Sequence, residues 1–137
     1  MSNTYTFTLT QEVTYENFET LMVGALEGGS NYWYWLPDEG VDAAAKWGEE
    51  QGIDLDKEPL STLLSKFIWE AVGEVPVMDY DGYDEKGVLN KAREIEGFRL
   101  MATNHPHHWE DFKSGNHDAI TADVWFQLAL FDKIVFG

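Results

Sequence analysis

The chain has 137 residues, of which 44% are hydrophobic and 25% charged, and nine Lys+Arg against 25 Asp+Glu give a formal net charge of -16. One globular domain spanning residues 1–137 is expected, and the apolar content excludes a disordered chain. The absence of Cys excludes disulfides, thiolate nucleophiles and Cys-ligated zinc, while the negative charge argues against direct contact with nucleic acid or an anionic membrane.

Tyr5-Thr6-Phe7-Thr8-Leu9-Thr10 alternates apolar residues with Thr. That period predicts a half-buried strand with Tyr5, Phe7 and Leu9 inward. Thr14 reads as the N-cap of a helix carrying Phe18, Leu21, Met22, Ala25 and Leu26 at i, i+3, i+4, i+7 and i+8. Gly28-Gly29 is its expected end. Asn31 to Leu36 is rich in aromatic residues and predicts a strand, with Tyr32 and Tyr34 on one face and Trp33 and Trp35 on the other. Val41 to Gln51 predicts a short helix. Pro59 suits the first turn of another, whose stripe is Leu60, Leu63, Leu64, Phe67, Ile68 and Ala71.

Val75-Pro76-Val77-Met78 reads as an edge strand, because Pro cannot donate to a central ladder. A long helix is expected from Asp84 to Thr103, with Val88, Ala92, Ile95, Arg99 and Ala102 on one face. Gly97 within it either breaks the helix or permits a close contact. Pro106 starts a short helix that Gly115 ends. Asp118 caps the last helix, whose expected stripe is Ile120, Val124, Trp125, Leu128 and Phe131, and Ile134-Val135-Phe136 is expected to be a terminal strand. The fold class that follows is α+β, a small sheet with several packed helices.

Charge patterning is the strongest functional signal. Seven acidic residues precede the first basic one, Lys46, and a second base-free run holds Glu70, Glu74, Asp79, Asp81, Asp84 and Glu85. Such surfaces repel themselves, so they suit contact with a basic surface. Asp79, Asp81, Asp84 and Glu85 are the candidate partner-binding residues. The same segment fails the EF-hand spacing and reads as a turn. His105-Pro106-His107-His108-Trp109-Glu110-Asp111 groups imidazoles with carboxylates, and His105, His108 and Asp111 at three-residue spacing are candidate metal ligands. Trp33 and Trp35, with Arg93 and Arg99 as anion partners, are candidate ligand-binding residues. Asp123 reads as a carboxylate at the edge of the core, with Thr121 a candidate partner. No catalytic motif or cofactor-binding signature occurs, so no cofactor is expected.

Two segments resemble a group of small proteins of tailed phages and prophages that carry no assigned activity. One is Ala25-Leu26-Glu27-Gly28-Gly29-Ser30-Asn31-Tyr32-Trp33. The other comprises Asp118, Thr121-Ala122-Asp123-Val124, Gln127, Ala129-Leu130-Phe131 and Ile134 to Gly137. The stretch from Leu100 to His108 also fits. The chain departs from that group at Asp132, where Gly is usual, and at Phe136, often Tyr. The resemblance implies an accessory protein acting in an infected bacterium.

The expected function is therefore binding of a basic surface on a host or phage protein, as an inhibitor or nucleic-acid mimic. A small-ligand binder that sequesters a nucleotide is the alternative, and a metal-dependent hydrolase the third reading. The N-terminus shows no basic leader followed by an apolar run, and no apolar stretch reaches the ~20 residues a membrane span needs. A cytoplasmic protein is expected, free or as a homo-oligomer.

Overall fold

The computed structural model describes residues 3–80 and 86–137. Six α-helices and a three-stranded antiparallel sheet are formed by the described residues, an α+β architecture. The Thr14 hydroxyl accepts from the Asn17 N–H while the Asn17 side chain accepts from the Thr14 N–H, a reciprocal cap that starts α1 (Tyr15–Gly24). A single turn of π-helix, Ala25–Gly29, prolongs α1 into the glycines. Phe18, Leu21, Met22, Ala25 and Leu26 are all buried, as their spacing predicts. Next come β1 (Tyr34–Trp35), α2 (Asp38–Glu50) and α3 (Leu60–Ala71), with Pro59 immediately outside α3 as its N-cap.

The sheet has the order β1-β2-β3, so β2 (Val75–Asp79) is central rather than at the edge. Pro76 is nonetheless accommodated. The short β1 pairs only with Met78 and Asp79, while β3 (Lys86–Leu89) pairs with Val75 to Met78. Pro76 therefore has a strand neighbour on one side only. Gly40 of α2 lies close to it: a Cβ at Gly40 would sit 2.8 Å from Pro76 Cδ.

The segment expected as one long helix is divided. Asn90 accepts from the Arg93 N–H and caps α4 (Lys91–Asn104), leaving Lys86 to Leu89 as β3. The buried face of α4 is Glu94, Gly97, Phe98 and Met101, not the predicted face, and Ile95 is 47% exposed. After α5 (Pro106–Lys113), Asp118 accepts from the Thr121 N–H and caps α6 (Ala119–Phe131). From Thr121 to Leu130 every residue of α6 except Val124 is buried, whereas Ile120 at its start is exposed. A helix covered on all sides has no single apolar stripe. It is the axis around which the Ala25–Gly29 turn, α1, α4, α5 and β3 pack.

Gly97 sets the approach of α4 to that axis. A Cβ built there would lie 2.9 Å from Ala129 Cβ and 3.1 Å from the Ala129 backbone. Alanine gains ~1 kcal/mol of helix propensity over glycine, but here it forces two buried helices apart. Gly97→Ala is expected to destabilise the fold by about 2 kcal/mol net, the range for overpacking, measurable as a lower urea midpoint. An unchanged midpoint would show that α4 shifts without cost.

Neither terminal strand forms. Residues 3–14 lie outside regular structure, with Tyr5, Phe7 and Leu9 between 71% and 91% exposed. The alternation is present, but no described strand pairs with it, so its apolar face has nothing to cover. At the other end, the backbone N–H groups of Val135 and Phe136 donate to the Gln127 side-chain oxygen instead of a strand.

Candidate functional site

The segment Ala25 to Trp33 and helix α6 meet at Asp123. One Asp123 oxygen accepts from Ser30 Oγ at 2.7 Å and Trp33 Nε1 at 2.9 Å. The other accepts from Tyr32 Oη at 2.6 Å and Gln127 Nε2 at 3.1 Å. Gln127 also donates to the Phe136 carbonyl, so the C-terminal tail is tied to the same pair. Phe136 stacks on Trp33 with ring centroids 4.7 Å apart. Burial first, then the hydrogen bond to Asp123, raises the Tyr32 hydroxyl above its usual pKa. A cavity of about 440 Å³ is lined by Gly28, Tyr32, Asp123, Gln127 and Phe136 among others. All four donors facing Asp123 are protein groups, two to each oxygen. The constellation is thus a structural latch, with its carboxylate already saturated.

Thr121 is not part of this latch: its hydroxyl lies near Asp118 and His108. The left-handed φ of 65° at Asp132 explains why glycine suits that position. Asp132 instead pairs with Arg93, which also donates to the Leu128 and Ala129 carbonyls at the end of α6.

The candidate ligand-binding residues are each committed elsewhere. Trp33 is 1% exposed, within the core. Trp35 is more open and donates to the Asp79 carbonyl. The predicted face shared by the two Trp residues does not form, because β1 begins only at Tyr34. Arg93 closes α6 as described, and Arg99 pairs with Glu96. Of the candidate partner-binding residues, Asp79 is buried, 6% exposed, while Asp81, Asp84 and Glu85 lie outside the described residues.

The histidines fall on or beside α5. Ligand atoms of His107, His108 and Asp111 lie within 4.8 Å of one another. His105, the residue before the helix, has its ring centroid 6.4 Å from that of His108. Burial, followed by the neighbouring His107 and His105, lowers the His108 pKa.

Two acidic residues, Glu16 and Glu19, line a concave surface that the sequence does not reveal. A groove of about 670 Å³ runs along α1, lined by Tyr15, Glu16, Glu19, Thr20 and Val23. Tyr15 packs edge-on against Trp69 of α3, ring centroids 5.8 Å apart, which joins the two helices beside the groove. Burial raises the Tyr15 hydroxyl pKa, and Glu19, Glu70 and Glu58 add to the effect. The same three carboxylates favour the charged form of Lys66, which bonds Glu58 at 2.7 Å. Lys66 is thus paired with Glu58 and lies within the field of Glu19 and Glu70. Nearby Lys91 lies over the Trp69 ring, 4.4 Å from its centroid. On α2, Asp38, Glu39, Asp42, Glu49 and Glu50 are all exposed, with Lys46 the helix's one base.

Compared with known proteins, the chain matches no family model, no curated protein and no solved structure.

Proposed function

We propose that this is a non-enzymatic accessory protein of phage or prophage type that binds a basic surface on a host or phage protein. The acidic α1 groove is the docking point for a lysine or arginine side chain of that partner. The observation that carries this reading is the groove itself: Glu16 and Glu19 in its wall, Glu58 and Glu70 near it, and two lysines, Lys66 and Lys91, against these four carboxylates. A net charge of -16 adds a long-range field of the same sign. That field accelerates encounter with a cationic partner and repels nucleic acid and anionic membrane. No helix of the described residues is long and apolar enough to cross a membrane.

Sequestration of a nucleotide finds less support, since Trp33, Arg93 and Arg99 are occupied by protein contacts.

The test is recovery of the tagged protein from infected cells, followed by binding measurements with the purified partner at rising ionic strength. The Glu16→Lys/Glu19→Lys double variant is expected to bind at least about tenfold more weakly, and wild-type association to slow as salt rises. A partner held equally well by the variant, or at a rate indifferent to salt, would refute docking in this groove.

A further inference from the structure

We propose that His107, His108 and Asp111 on α5 form a binding site for one divalent transition-metal ion of the zinc class. This is independent of the acidic groove and rests on side-chain placement. At about 100° per helical residue, Asp111 falls roughly 40° from His107 and 60° from His108, between the two imidazoles on the same side of the helix. The ligand atoms of all three come within 4.8 Å of one another. A tetrahedral ion with bonds of about 2.1 Å needs its ligand atoms about 3.4 Å apart. The ligand atoms must therefore close by up to about 1.4 Å through side-chain rotation, starting from His107 and His108 rings stacked with centroids 4.4 Å apart.

The helix beneath the three ligands is anchored. Trp109 and Phe112, interleaved with them in sequence, are both buried and pack against Phe98. The ligand face of α5 is therefore held while its side chains stay accessible: His107 is exposed, and His108 and Asp111 are half-buried.

His108 also has the outer contact that a metal-binding histidine requires. Its Nδ1 lies 3.2 Å from Thr121 Oγ1, and Thr121 Oγ1 donates to Asp118 at 3.3 Å. When the Thr121 proton is directed to Asp118, its oxygen is able to accept from Nδ1–H of the Nδ1-protonated tautomer. That tautomer leaves the lone pair on Nε2, free for a metal. A carboxylate–hydroxyl–imidazole chain of this kind orients a metal ligand. Two imidazoles with one carboxylate suit zinc and its first-row neighbours rather than calcium or magnesium. Three protein ligands leave a coordination position for water or an exogenous anion.

The experiment is titration of demetallated full-length protein with zinc chloride by calorimetry, with cobalt(II) absorption as a second readout of coordination. Saturation at one ion per chain is expected. His107→Ala and Asp111→Asn should each weaken binding at least about tenfold, since even outer contacts are worth that much, while His105→Ala leaves it unchanged. Circular dichroism of the metal-free variants checks that the fold is retained. No saturable binding would overturn the proposal. So would binding unaffected by Asp111→Asn, which marks a bare histidine pair, or binding equally weakened by His105→Ala, which marks a different ligand set.

Discussion

Asp123→Ala is expected to cost about 5 kcal/mol, a large part of the 5–15 kcal/mol by which domains are usually stable. The carboxylate accepts from Ser30, Tyr32, Trp33 and Gln127, and three of those four residues are essentially inaccessible to water. A hydrogen bond to a charged acceptor contributes roughly 1.5–3 kcal/mol, and a buried donor left unmet costs about 1–3 kcal/mol. The terms overlap, so their sum overstates the effect. Asp123→Asn keeps the volume but turns an amide N–H₂ toward groups that are themselves donors, and about 3 kcal/mol is expected for it. Because Asp123→Ala risks not folding at all, Ser30→Ala provides a milder reading of the same latch at about 1.5 kcal/mol. Urea unfolding measures each. A loss below 1 kcal/mol for Asp123→Asn would mean that solvent replaces the latch.

Glu94→Gln is expected to stabilise the protein by about 3 kcal/mol at pH 7. The Glu94 side chain is 1% exposed, and neither carboxyl oxygen has a hydrogen-bond partner. Burial alone raises its pKa from 4.5 to about 10. The folded protein then holds a proton that the unfolded chain releases above pH 4.5. Stability is highest below 4.5 and falls by about 1.4 kcal/mol per pH unit until the folded group ionises near 10. Glutamine has the shape of the neutral acid and cannot ionise, which removes this slope. The variant and wild type should be nearly equal at pH 4.5 and diverge steadily toward pH 9 in parallel denaturant titrations. Curves that stay parallel across that range would show that Glu94 finds a charge partner or water.

Helix boundaries were the most legible part of this chain, because each depends on two or three adjacent groups. Thr14 and Asp118 cap where expected, Pro106 opens α5, and Gly115, at φ +82°, lies just beyond its end. The acidic character and the unusual histidine cluster were also visible. Local pattern misleads where it needs a distant partner. Tyr5 to Leu9 alternates like a strand yet meets no described neighbour. Val88 and Ala92 share a helical period, and that concealed Asn90, whose capping side chain is the signal that separates β3 from α4.

Composition and local pattern thus settle the charge, the α+β class and the starts of three helices, since these arise from residue identity and from groups within a turn of one another. Tertiary structure decided the rest. It made α6 an all-round buried axis instead of a one-sided helix, and it brought Asp123 to partners some 90 residues away. It brought carboxylates of α1 and α3 near Lys66, and it grouped His108 with His107 and Asp111. Each of these depends on which faces meet in the core, and a helix or strand shows only its own face until another element packs against it.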